Sequence, residues 1–125
     1  MDQFKTIIVD DVRLIRKELK NMLNKYPNIQ VVGEASNGEE AIQLISEVKP
    51  DLVFLDIHLP KLSGFDLLDR IDVDFKVIFI SSFYDKFSAK AQHYNPVDFL
   101  MKPINKEKLS RAIGKITNLT VHKNT

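Results

Sequence analysis

Five short apolar runs punctuate the chain, at Thr6 to Val9, Gln30 to Glu34, Leu52 to Leu55, Val77 to Ile80 and Val97 to Met101, each rich in Val, Ile or Phe. Runs of that length and β-branched content predict strands. They begin near residues 7, 30, 51, 76 and 97, so successive starts lie 23, 21, 25 and 21 residues apart. Each interval has room for one helix and two short loops. That alternation predicts a parallel sheet with helices between its strands.

The intervals carry helical periodicity. Leu14, Ile15, Leu19, Met22 and Leu23 recur at helical spacing, and Pro27 ends that segment. Asn37 is placed to cap the second helix with Glu40 reaching back to it, while Ala41, Ile42, Ile45 and Val48 form the stripe ahead of Pro50. In YDKFSAKAQHY a weaker stripe runs through Phe87, Ala91 and Tyr94. Asn105 opens the last helix, whose buried face is Leu109, Ala112, Ile113 and Ile116, and Gly114 weakens it. The polar stretch from Thr117 to Thr125 has no periodicity and is expected to fray. One domain over residues 1–118, followed by a polar tail over 119–125, is the expected organisation.

Composition narrows the class. At 125 residues, 44% hydrophobic and 28% charged, the chain can bury a core of its own. It has no cysteine, which excludes disulfides and thiolate metal sites and fits a reducing cytoplasm. No apolar stretch approaches 18 residues, so no membrane span is expected. The net charge of +1 is unevenly spread: residues 12–26 hold five basic side chains and one acidic, residues 102–125 six and one, and Glu34 to Phe75 ten acids against three bases. A balanced total gives no general attraction to nucleic acid, so none is expected to bind this domain directly. The basic helix carrying Arg13, Arg16, Lys17 and Lys20 is a candidate face for an acidic protein partner.

The apolar run VFLD ends on Asp56, a costly neighbour for a core. In an open parallel sheet, ligands bind at the carboxyl ends of the strands, where strand order reverses. The first strand ends on Asp10 and Asp11 and the third on Asp56. With strand order 2-1-3-4-5, the first and third strands are neighbours about 4.8 Å apart, so the three acids converge. Two carboxylates about 5 Å apart repel by roughly 3 kcal/mol at an effective dielectric near 20. A shared proton or a cation would offset this, and an all-oxygen donor set favours a hard ion such as magnesium. The fourth strand brings Ser81 to the same edge and the fifth brings Lys102. Nucleophile, cation cradle, ammonium and hydroxyl together suit phosphoryl transfer, which needs mainly positioning and charge stabilisation.

In IIVDD, in VFLDIHLPKLSGFDLL with Pro60 four and Gly64 eight residues after Asp56, in FISS and in FLMKP, the chain resembles the receiver domain of two-component response regulators over about residues 4 to 117. The resemblance implies a flavodoxin-like, doubly wound (βα)5 fold of three layers with strand order 2-1-3-4-5. It implies that Asp56 accepts a phosphoryl group from a sensor histidine kinase or a phosphotransfer protein. Asp11, Asp56 and the backbone carbonyl of His58 would bind magnesium or manganese, and Asp10 would contact the ion through water. Ser81 and Lys102 would hold the phosphoryl group, Phe99 would be the aromatic that turns inward on activation, and the Lys102–Pro103 peptide would be cis. The surface of the fourth helix, fifth strand and fifth helix would then control an output domain or a partner, a homodimer through that surface included. NPVDFLMKP and the short fourth interval are most similar to receivers of regulators that carry a LytTR DNA-binding domain, and both a stand-alone receiver and a receiver within a longer regulator fit.

The chain departs from the family where Ser81-Ser82 replaces a frequent Thr-Ala pair and Phe83 and Tyr84 follow. Ser82 is thus a rival for the switch hydroxyl. Phe83 and His58 flank the expected phosphoryl site and are candidates for setting phosphate lifetime. Blander readings remain: Asp10 and Asp11 as helix caps, Ser81 as a loop hydroxyl, Phe99 as static core, Gly64 as a turn residue. His58, His93 and His122 share no metal-ligand spacing. A self-phosphorylating switch is expected rather than a turnover enzyme. A hydrolase with an aspartyl-phosphate intermediate would show an acid two residues after its nucleophile, where this chain has His58. A phosphorylation-independent interaction module would be expected to lose members of the acidic and basic set.

Overall fold

Alternating apolar runs and helical stripes assemble as their spacing predicts. The computed structural model describes residues 3–124, with side chains described over 3–83 and 88–117. The element order is β1 (Phe4–Val9), α1 (Arg13–Leu23), β2 (Ile29–Ala35), α2 (Gly38–Val48), β3 (Leu52–Asp56), α3 (Gly64–Asp69), β4 (Lys76–Ser81), α4 (Tyr84–Gln92), β5 (Asp98–Met101) and α5 (Lys106–Asn124). The five strands form one parallel sheet in the order β2-β1-β3-β4-β5.

Strand alternation sorts the core into two layers. Ile8, Leu52, Phe54, Ile78, Ile80 and Leu100 face Leu19 and Leu23 of α1 and Leu109, Ala112, Ile113 and Ile116 of α5. Ile7, Val9, Val53, Leu55, Val77 and Phe79 face the other way, against Ala41 of α2, Leu67 and Leu68 of α3 and Ala91 of α4. The central strand β3 is buried along its whole length, its terminal Asp56 included.

Several local expectations hold and some are corrected. Asn37 caps α2 by accepting the Glu40 N–H at 2.9 Å, but the Glu40 carboxylate turns to the Ser36 N–H and hydroxyl, both at 2.9 Å, rather than back to Asn37. Asn105 caps α5 by accepting the Lys108 N–H at 2.8 Å. Leu14, counted in the apolar stripe of α1, is 60% exposed in the first turn, and the helix buries Leu19 and Leu23 further along. The expected fraying after Thr117 gives way to a helix that continues to Asn124. No glycine or proline follows Gly114, and once a helix is nucleated on a packed stripe each further residue adds a hydrogen bond. The side chain of Phe87, expected in the α4 stripe, and that of His122 lie outside the described residues.

Gly64 is not the turn residue its type suggests, since no glycine has positive φ. A Cβ there would stand 2.6 Å from the Asp56 carbonyl oxygen and 3.2 Å from the Ile57 Cα. Its N–H donates to the Ile57 carbonyl at 2.9 Å, and Ser63 and Asp66 close a capping box over the start of α3. Gly64 therefore lets α3 begin directly against the end of β3.

Candidate functional site

The carboxyl edge of the sheet gathers the polar residues that the core excludes. Asp10 follows β1 and is fully buried, Asp56 ends β3 at 2% exposure, Ser81 ends β4 and is buried, and Lys102 follows β5. Asp11 is exposed at the same rim. By alternation Asp10, Asp56 and Lys102 continue the rows of Ile8, Phe54 and Leu100, so all three lie on the α1 and α5 side. Ser81 continues the row of Val77 and Phe79 on the opposite side, the one that also buries Phe99.

One carboxylate oxygen from each of Asp10, Asp11 and Asp56 lies within 4.8 Å of the others. Oxygens about 2.1 Å from an octahedral ion stand about 3 to 4.2 Å apart. Rotation of the exposed Asp11 side chain can close the remaining distance. The Asp10 carboxylate has two tasks: Oδ1 accepts the Val12 N–H at 2.9 Å, fixing the start of α1, and Oδ2 faces Lys102 Nζ at 2.7 Å. The two are ion-paired at that distance, and among the described residues no other donor reaches this buried oxygen. A buried anionic oxygen that shares its single ammonium with Asp56, beside a third carboxylate, fits a hard cation, and the residues present are the donors such an ion takes. Neither Asp10 nor Asp11 caps α1, whose N-cap is Val12 without a side-chain cap bond; Asp10 instead holds the turn just before the helix and takes its place in the acidic cluster.

Asp56 Oδ1 accepts the His58 N–H at 2.9 Å and Oδ2 receives Lys102 Nζ at 3.2 Å. Burial pushes the Asp56 carboxyl above its usual value, the Asp10 charge adds to this, and the His58 N–H and Lys102 only partly oppose it. Burial also draws the Lys102 ammonium down, but Asp10 and Asp56 outweigh it and hold the group above its usual value. The site is therefore charged and partly compensated, with more negative charge than one lysine neutralises.

Ser81 Oγ accepts the Phe83 N–H at 3.0 Å, which turns the chain out of β4. Ser82 lines a groove of about 280 Å³ on the α1 and α5 side, with Ile15, Leu19, Met22, Lys102 and Ile104. The two rival hydroxyls are thus separated onto different sides of β4. The Phe83 ring meets the His58 ring edge-on at 5.1 Å, and both side chains are exposed. Phe99 is 8% exposed and tilted against Phe79 at 6.4 Å, already turned into the core. The Lys102–Pro103 peptide is cis.

Arg16 stands apart from the other basic residues of α1. Its Nη1 donates to the Asp10 carbonyl at 2.7 Å and its Nε to Glu34 Oε1 at 2.9 Å, and its side chain is only 14% exposed. It does not belong to the outward basic face with which the sequence groups it. An acid near the end of β2 and a base one turn into α1 were the available signal, legible only once β1 and β2 are known to be neighbours.

Residues 6–114 match the response regulator receiver domain family. The chain is 39% identical over 112 residues to an uncharacterised response regulatory protein of Shewanella oneidensis, covering 88% of this chain and 47% of that protein. It is 33% identical over 114 residues to the transcriptional regulatory protein BtsR of Escherichia coli K12, covering 90% of this chain and 47% of BtsR. The chain thus spans about half the length of these curated relatives. Among solved structures, the REC domain of AraT, a response regulator from Geobacillus stearothermophilus, superimposes with a TM-score of 0.87 at 26% identity, covering 98% of both chains. With its sheet order, its acidic rim and these matches, the chain belongs to the response regulator receiver domain family.

Proposed function

We propose that the protein is a phosphoacceptor switch whose Asp56 takes a phosphoryl group from the phosphohistidine of a sensor histidine kinase or phosphotransfer protein. The observation that carries this is the position of Asp56: buried at a strand end, 3.2 Å from Lys102 and within 4.8 Å of the Asp10 and Asp11 carboxylates. In the transfer, an Asp56 carboxylate oxygen attacks phosphorus, the P–O bond forms as the P–N bond breaks, and the imidazole leaves with the electron pair. Lys102 exchanges a carboxylate partner for a phosphoryl oxygen. A magnesium or manganese ion held by Asp11, Asp56, the His58 carbonyl and, through water, Asp10 would supply neutralisation of the phosphoryl charge.

Ser81 is the switch hydroxyl in this proposal, because it shares its side of the sheet with Phe99, whereas Ser82 faces the groove beside Lys102. Drawing Ser81 toward a phosphoryl oxygen would pull on the Phe83 N–H it now accepts and so on the start of α4. Phe99 follows Asp98, which binds Arg111 at 3.0 Å and Lys115 at 3.2 Å on α5. That continuity supports the α4, β5 and α5 face as the switched surface, acting on a LytTR-type output or on a second copy of the chain. The donor protein would approach over α1, where the groove lined by Ile15, Met22 and Lys102 opens beside the site. Arg13 and Lys17 are exposed on that helix, so reversing their charge should slow transfer from the kinase but not from a small phosphodonor.

Among the described residues, no helix is long and apolar enough to cross a membrane. The deciding experiment is mass spectrometry after incubation with a small phosphodonor and magnesium. One phosphoryl adduct is expected, absent in Asp56→Asn and blocked by chelator. An adduct that persists in Asp56→Asn would overturn the assignment.

A further inference from the structure

We infer that Arg16 is a positioning residue for the cation site, holding the Asp10–Asp11 peptide so that the Asp11 carboxylate faces Asp56. The inference rests on the functional reading above, in which Asp11 and Asp56 hold the ion. The β1–β3 ladder ends at Val9 and Leu55, so the Asp10 carbonyl lies beyond the paired residues of that edge. This carbonyl is one half of the peptide plane whose other half is the Asp11 N–H, and rotating the plane redirects the Asp11 side chain. Among the described residues, no hydrogen bond or ion pair reaches the Asp11 carboxylate, so its aim depends on that backbone.

Arg16 supplies the hold. Nη1 donates to the Asp10 carbonyl at 2.7 Å, and Nε is fixed by Glu34 Oε1 at 2.9 Å. Two N–H groups of one rigid guanidinium thus meet two acceptors at once, which an ammonium on a flexible stem does less well. Glu34 belongs to β2, in register with Ile8 of β1, and Lys20 lies 3.7 Å from its other oxygen. The bracket therefore runs from β2 through a side chain of α1 to the end of β1. Groups that orient metal ligands from behind commonly matter nearly as much as the ligands.

Charge and position predict opposite signs. A guanidinium near a divalent site repels the ion, so by charge alone its removal would tighten binding. By position, its removal loosens Asp11 and weakens binding. The test is Mn²⁺ affinity, read from free Mn²⁺ by electron paramagnetic resonance, for the whole chain as wild type, Arg16→Ala, Arg16→Lys and Glu34→Gln, with circular dichroism to verify folding. Arg16→Ala is expected to weaken Mn²⁺ binding by about tenfold. Arg16→Lys should recover part of the loss, and Glu34→Gln should lose less than Arg16→Ala. A folded Arg16→Ala that binds as tightly as wild type, or more tightly, overturns the positioning role alone. Should Arg16→Ala not fold, unchanged affinity in Glu34→Gln overturns it instead. A wild-type chain that does not bind Mn²⁺ removes the functional reading, and this role with it.

Discussion

Lys102 Nζ stands 2.7 Å from Asp10 Oδ2 and 3.2 Å from Asp56 Oδ2, one ammonium set between carboxylates from two strands. Removing it leaves both anions buried without a counter-charge. Lys102→Ala should therefore lower the unfolding free energy in chelator by about 2 kcal/mol, below the usual cost of breaking a buried pair because Lys102 is partly exposed. Added magnesium should restore part of that loss. Urea unfolding with and without magnesium checks both. Because the Lys102 pKa is raised above 10.5, its contribution is full at neutral pH and is lost only as pH climbs through the higher folded value.

Asp56 has the opposite linkage. Its carboxyl is held above the usual 3.8, chiefly by burial, so the folded state binds this proton more tightly than the unfolded chain does. Ionisation of Asp56 then removes stability as pH rises from 3.8 through the folded value, and the penalty stays in place above it. In chelator, Asp56→Asn should melt higher than wild type at about pH 7, with the gap closing toward about pH 3. Thermal midpoints across that range decide it, and a wild type that melts higher throughout would contradict the burial argument.

Two glycines give contrasting expectations. Gly64→Ala sets a Cβ 2.6 Å from the Asp56 carbonyl oxygen, where backbone must move, and should cost about 2 kcal/mol while displacing Asp56. At Gly114 nothing lies within 4 Å of the added Cβ, so Gly114→Ala should stabilise α5 by about 1 kcal/mol. Denaturant midpoints of the two variants test this directly.

The His58 and Phe83 rings meet at 5.1 Å, and the His58 N–H donates to Asp56 Oδ1. If that pair narrows the path for attacking water, Phe83→Ala should shorten the half-life of the phosphorylated protein several-fold without changing its fold. Equal decay rates would dispose of the idea.

The strand ends were the legible part of this protein. Asp10, Asp56, Ser81 and Lys102 each end or follow an apolar run, and a parallel sheet puts all such ends on one edge, so spacing alone converges them. What sequence left hidden depends on contacts between distant segments. Arg16 and Glu34 are 18 residues apart and meet only because β1 and β2 pair, so Arg16 reads as one more surface base. Gly64 reads as a turn because its close approach to Asp56 is a property of packing rather than of φ. Leu14 has core spacing yet is exposed, because periodicity marks a helix face and not how much of that face is covered.

In the function proposed above, carboxylates that follow β1 and end β3 share one cation. A crystal structure of the protein grown in magnesium tests it most directly. One ion is expected, with oxygens of Asp11 and Asp56 at about 2.1 Å and Asp10 behind a water. An empty rim at saturating magnesium, or an ion bound away from Asp56, would contradict it.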